Sequence, residues 1–256
     1  MQAIAHPLDL SALERIREQE VEEALAIQSA MLPTASLRAG KVAIMHQLRS
    51  VREVGGDFLD YFTLSDRSIG LYLGDVSGKG LPAALYAALA VGTLRGVHKT
   101  GTSPGDVLSL VNRRLAGRAV PRRYSAVQYA VFHPERGQMQ IASAGLHGPL
   151  HLGRSGCREL HLSGIPPGMF LKAEYDMHTI EIEPGDSVIF FTDGITDARD
   201  FRQEEFGIER VTELCAGLYG EPPAELLRRI FAAVGRFALG QPQHDDMTAV
   251  IFHLAL

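Results

Sequence analysis

Four short segments each place an Asp where a strand would end or turn: Gly55-Gly56-Asp57-Phe58, Gly74-Asp75-Val76-Ser77-Gly78-Lys79-Gly80, Phe191-Thr192-Asp193-Gly194 and His244-Asp245-Asp246-Met247-Thr248. Apolar, strand-like runs flank three of them, which predicts carboxylates converging on one edge of a sheet. Carboxylates gathered without a matching cluster of Lys or Arg repel one another unless a cation sits between them. A hard divalent metal, bound through oxygen, meets that need. Two such ions ~3.5–4 Å apart would lower the pKa of a shared water and aim it for in-line attack on phosphorus. No GxSxG nucleophile elbow competes for the chemistry.

Each segment alone also has a plainer reading. Asp57 is a turn residue after two glycines, Asp75 an ordinary strand end, Asp193-Gly194 a hairpin turn, and Asp245-Asp246 an exposed pair before an edge strand. It is the four together, in order, that favour metal. Around them, Arg52 is a candidate for a bidentate fork on a substrate phosphate, with Lys79 as a point-charge alternative. His147 and His244 are candidate proton donors, set against structural or exposed roles.

The elements that must position these residues read as follows. A helix is expected over 11–32, with Ser11 and Glu14 at capping-box spacing and Pro33 as its stop. It carries two apolar stripes, Leu13, Ile16, Ala24, Ile27 and Met31 beside Val21, Leu25 and Leu32, which suggests a helix shared with a second copy of the chain. Strands are expected at 42–48 and 68–73, and helices at 81–91 and 106–115. Residues 124–133, 138–142 and 149–152 read as a meander, 180–182 and 187–192 as strands, 209–218 and 223–237 as helices, and 248–254 as the last strand. Largely antiparallel strands with grouped helices predict an α+β layered domain. An N-terminal helical segment at 1–39 would precede a single catalytic domain at 40–256.

Apolar residues make up 46% of the chain, enough for a sizeable core. The net charge of −5 argues against a nucleic-acid binder. The longest apolar run, 81–92, is too short to span a bilayer, and the first ten residues lack a signal-peptide pattern. Two cysteines, Cys157 and Cys215, form neither a CxxC pair nor a zinc spacing. Together these features lead us to expect a soluble, cytoplasmic protein.

Val54-Gly55-Gly56-Asp57-Phe58, Gly74 to Gly80, Phe191-Thr192-Asp193-Gly194-Ile195-Thr196-Asp197 and Asp245-Asp246-Met247-Thr248 resemble the SpoIIE/RsbU branch of the PPM (PP2C-like) protein serine/threonine phosphatases. Residues 26–33 also resemble the helix that enters this domain in the RsbU type. The resemblance implies a β-sandwich of mainly antiparallel sheets flanked by helices, with two Mn²⁺ or Mg²⁺ ions at one edge. Carried over, Asp75 would bridge both metals, joined by the Val76 carbonyl. Asp193 and Asp245 would complete one metal's shell, and Asp57 would hold metal-bound waters or bind directly. Asp197 matches a weaker, additional metal position. The implied substrate is a phosphoserine or phosphothreonine on a STAS-domain, anti-anti-sigma-type protein in a partner-switching circuit. Two departures stand at the rim of that site: Ser143-Ala144-Gly145-Leu146-His147 replaces an Asn-Ala-Gly-His stretch, and Ile165-Pro166-Pro167-Gly168 replaces a Pro-Leu-Gly pattern.

Two other functions set the alternatives. One is a catalytically weak domain of this fold that serves as a binding scaffold. The other is a two-metal nucleotidyl cyclase, suggested by Gly55-Gly56-Asp57-Phe58, although Phe58 stands where that signature needs a second acid.

Overall fold

A computed structural model describes residues 10–98, 101–118 and 120–256. The chain runs through α1 (Leu10–Met31), β1 (Leu37–Ala39), β2 (Val42–Arg49), β3 (Phe58–Thr63) and β4 (Ile69–Val76). Next come α2 (Leu81–Arg95), α3 (Pro104–Ala116), β5 (Ser125–His133), β6 (Gln138–Ala144), β7 (Leu150–Gly153), β8 (Gly156–Glu159), β9 (His178–Glu181) and β10 (Ser187–Phe191). A single turn, α4 (Asp193–Thr196), then α5 (Gly207–Ala216) and α6 (Pro223–Phe237), lead to β11 (Met247–Leu254).

Among the described residues the strands form two antiparallel sheets, ordered β1-β2-β11-β10-β7-β8 and β3-β4-β5-β6-β9. Apolar side chains on both faces of the central strands dictate four layers. Along β10, Val188 and Phe190 turn into the space between the sheets, where they meet Leu71, Leu73, Ile141 and Phe252. Ile189 and Phe191 point the other way, onto α5 and α6 through Val211, Leu226 and Ile230. On the far side of the second sheet, Tyr72 and Tyr129 stack against each other beneath α2 and α3. Buried Ala83, Ala87 and Ala90 let α2 lie close to that surface. The expected α+β sandwich is present.

The sequence reading needs several corrections. Residues 149–152 were expected to continue a meander after β6, but β7 pairs with β10 and β8 in the other sheet. The chain crosses over at Gly145, whose φ of 95° suits glycine. Strand β4 runs through Asp75 and Val76 rather than ending before them. β1, β3, β8 and α4 were not anticipated. Ser11 falls inside α1, where its hydroxyl accepts from Arg15 at 3.4 Å, rather than at its cap.

Helix α1 is anchored at its C-terminal end. Met31 and Leu32 pack on the two cores beside the second sheet, and the Met31 carbonyl accepts from Arg95 at 2.7 Å. Ile16, Leu25 and Ile27 are exposed; the side chain of Leu13 lies outside those described. Among the described residues no helix is long and apolar enough to cross a membrane.

Candidate metal centre

Strand register brings the acidic segments together. β3 and β4 pair up to Phe58 opposite Gly74, so the next step sets Asp57 across from Asp75. In the other sheet β10 and β11 pair up to Phe191 opposite Ala249, so Thr192 faces Thr248. Asp193 then opens α4, and Asp245-Asp246 lead into β11. All four segments therefore meet at one end of the sandwich.

Asp57 ties the sheets to each other there. It is 2% exposed, and its Oδ2 accepts from the Thr192 hydroxyl at 2.8 Å and from the Thr248 hydroxyl. Its other oxygen, Oδ1, is buried with no donor. Asp75 stands across from it, so the two carboxyls oppose each other's ionisation.

Asp246, left without a role by the sequence reading, is buried and braces the loop before Asp57. Its Oδ1 accepts from the Val51 amide and its Oδ2 from the Gly56 amide, both at 2.7 Å. The approach is so close that a Cβ on Gly55 would lie 2.1 Å from Asp246 Oδ2, and one on Gly194 would lie 1.9 Å from the Asp246 carbonyl oxygen. Asp245-Asp246 is thus not an exposed pair before an edge strand, since β11 lies between β2 and β10. From the other side Gln28 of α1 grips the same loop: its Nε2 donates to the Gly55 carbonyl at 2.7 Å and its Oε1 accepts from the Gly55 amide at 3.1 Å.

Electrostatics record the crowding. Burial, then the charges of Asp193 and Asp245, push Asp75 up to about 7. Burial and the Asp75 charge hold Asp57 well above the usual carboxylate range. Asp193 is raised by burial and by its neighbours Asp197 and Asp245. A set of carboxyls that resist ionising together is the signature of an incomplete charge balance.

Among the described residues, positive groups sit at the margin, and the half-buried Arg123 donates to the Ser77 carbonyl in the loop after Asp75. Lys79 Nζ lies 3.0 Å from Asp245 Oδ2 and also donates to the His244 carbonyl. The exposed guanidinium of Arg52 rests over Gly80. Asp197 is exposed and, with His244, Asp245 and Arg199, lines a cavity of about 260 Å³. A second cavity, about 320 Å³, lies between Asp193, His147, Glu159 and His161. His147 is close enough to Asp193 for its charge to favour the carboxylate.

The donor set fits hard divalent cations: oxygen ligands, a surplus of negative charge, and a buried Asp57 oxygen lacking a donor. Among the described residues no three His, Cys, Asp or Glu side chains are already drawn around one point. Lys79 is ion-paired with Asp245.

The roles of Thr192, Thr248, Asp246 and Gln28 escaped the sequence reading. The two threonines stand inside the quoted acidic segments, which was the available signal.

Comparison with known proteins identifies the family and the fold. The family model for stage II sporulation protein E (SpoIIE) matches residues 65–255. The chain is 26% identical over 264 residues to protein IcfG of Synechocystis sp., covering 92% of this chain and 41% of that protein. It is 24% identical over 251 residues to the phosphoserine phosphatase RsbU of Bacillus subtilis, covering 94% of this chain and 72% of RsbU. The chain therefore spans well under half of IcfG and most, but not all, of RsbU. In structure it resembles the SiaA-PP2C domain of Pseudomonas aeruginosa, with a TM-score of 0.84 and 20% identity over 95% of this chain and 99% of that one.

Proposed function

Because the chain belongs to the SpoIIE family, we propose that it is a metal-dependent protein serine/threonine phosphatase. Its substrate is a phosphoserine or phosphothreonine on a STAS-domain protein in a partner-switching pathway. One observation carries the reading: Asp57, Asp75, Asp193 and Asp245 are gathered at one end of a PP2C sandwich and repel one another there. The likeness to RsbU, named a phosphoserine phosphatase, supports the substrate class.

Asp75, the Val76 carbonyl, Asp193 and Asp245 would hold two Mn²⁺ or Mg²⁺ ions, with Asp57 beside them and Asp197 at a weaker position. When bound, such ions acidify and orient water for attack on a phosphoester. The chain's own part is to set the stage. Thr192 and Thr248 fix the Asp57 carboxylate by two hydroxyl donors, so that its orientation does not depend on solvent. Asp246 and Gln28 hold the loop leading to Asp57 from opposite sides. Arg52, whose guanidinium lies over Gly80, would receive the substrate phosphate. The domain at 40–256 carries this chemistry, and the segment at 1–39 contributes α1. Exposed Ile16, Leu25 and Ile27 on α1 support a homodimer built through that helix, which light scattering at micromolar concentration would show. We place the protein in the cytoplasm, where such a substrate would reside.

Phosphate release from a phosphorylated STAS protein, with and without Mn²⁺, tests the reading. Metal-dependent release that is absent in Asp75→Asn and Asp193→Asn is expected. No release from any phosphoserine protein at saturating metal would favour the scaffold, and cyclic dinucleotide formed from GTP would favour the cyclase.

A further inference from the structure

The two cysteines are distant in sequence and adjacent in the fold. Cys157 lies on β8, the edge strand of the six-stranded sheet, and Cys215 lies on the buried face of α5, which packs against that strand. Cys215 is fully buried and Cys157 is half-buried. Cys215 belongs to the apolar cluster beneath α5 and α6 and Cys157 packs against it, which brings the two side chains close enough to interact. Its neighbour and burial raise the Cys215 thiol, whereas Cys215 lowers that of Cys157. Cys157 is the more accessible sulfur, with a second thiol at hand.

We propose that Cys157 and Cys215 form a reversible dithiol–disulfide couple, oxidised by a peroxide, that staples the β7–β8 hairpin to α5. The Cys157 thiolate attacks one oxygen of hydrogen peroxide, and the O–O bond breaks. Hydroxide departs and gains a proton to become water, leaving a sulfenic acid. The Cys215 sulfur then attacks the Cys157 sulfur: the S–S bond forms, the S–O bond breaks, and the hydroxyl leaves with the Cys215 proton as a second water. Two thiols and one peroxide yield one disulfide and two waters. A small dithiol reverses the step by exchange and is itself oxidised to a disulfide.

The staple bears on the acidic end of the sandwich. His147, just before β7, and Glu159, the last residue of β8, line the cavity shared with Asp193. α5 in turn packs on α4, the turn that begins at Asp193. Oxidation therefore ties one wall of that cavity to the helix behind Asp193.

The experiment treats the reduced full chain with hydrogen peroxide, alkylates it under denaturing conditions and measures intact mass. The expected product has lost the mass of two hydrogens, resists alkylation at both positions, and yields one intrachain peptide pair joining Cys157 to Cys215. Dithiothreitol restores both thiols. The oxidised form should melt about 5–10 °C higher, since the bond constrains the unfolded chain. In Cys215→Ser, or Cys215→Ala should the serine variant fold poorly, Cys157 should stop at a sulfenic acid that dimedone traps. The proposal is overturned if Cys157 gains two or three oxygens while Cys215 stays alkylatable, if only interchain disulfides form, or if oxidation leaves melting unchanged.

Discussion

Strand β10 has a buried or half-buried Asp at either end, and the two ends are built on opposite principles. Asp186, just before the strand, is 4% exposed. Its Oδ2 meets His151 Nε2 at 2.9 Å and the Glu183 amide at 3.1 Å, and beside it Ser187 and His253 share a hydrogen bond of 2.9 Å. Asp193, just after the strand, faces Asp75, Asp197 and Asp245 instead. Both ends leave one carboxylate oxygen without a donor, Oδ1 of Asp186 and Oδ1 of Asp57. An orphaned oxygen therefore does not distinguish them; the sign of the neighbouring groups does. A buried acid with an imidazole and an amide closes a structural knot, whereas buried acids among acids make a site that calls for a cation.

The sharpest way to break this comparison is to neutralise one acid at each end. Asp75→Asn should lower turnover by at least about a hundredfold, because the negative charge and one of the two carboxylate oxygens offered to the cations would be lost. The metal-free variant should nevertheless melt no lower than the parent at pH 8, since a repulsion has been removed. Wild-type turnover, or a marked fall in melting temperature, would merge the two ends into one class. Asp186→Asn should do the reverse, costing about 1–3 kcal/mol of stability by disrupting a buried hydrogen-bonded pair while leaving kcat nearly unchanged. Urea unfolding and steady-state rates measured on the same preparation separate the two effects.

A pH titration probes the comparison without mutation. Asp75 titrates at about 7 in the folded chain, against ~3.9 for an unfolded Asp. Between those values the folded state binds more protons than the unfolded one, so this group's stabilisation falls as pH rises from ~4 through ~7. Asp57 and Asp193, also raised, act in the same direction. The metal-free protein should thus melt progressively lower across that window. Asp75→Asn should flatten the slope, and saturating Mn²⁺ should raise melting most at the alkaline end. A melting temperature indifferent to pH in the absence of metal would count against crowded carboxyls.

The smallest expected effect concerns Lys79. Its ammonium competes for Asp245 at a partly exposed position, so Lys79→Ala should tighten Mn²⁺ binding by only about two- to fivefold, as suits a surface ion pair. Calorimetric titration would measure it, and weaker binding would show that Lys79 assists the centre rather than competing with it.

Much of this was legible in the chain itself. The span of α6 follows from Pro223 at its start and the apolar repeat ending at Phe237, and β10 reads as a buried strand because apolar residues fill it without alternation. The acids of the candidate site were legible for a similar local reason: each sits beside a Gly or a second Asp at one end of an apolar run. β3 was not legible, since Asp60 interrupts its apolar run and only pairing with β4 holds it. Nor was the sheet that β7 joins, because the switch depends on where β10 offers an unpaired edge.

Local pattern thus determined which carboxylates are candidates and that strands of an α+β domain carry them, because periodicity and turn chemistry act over a few residues. Only the tertiary structure decided that Thr192 and Thr248, 135 and 191 residues from Asp57, clamp its side chain. It alone gave Asp246 the task of bracing a loop, and it alone brought Cys157 against Cys215. These partnerships arise where two sheets pack face to face and a helix covers an edge strand, and local spacing, which put both threonines beside acids, does not say which side chain each one meets.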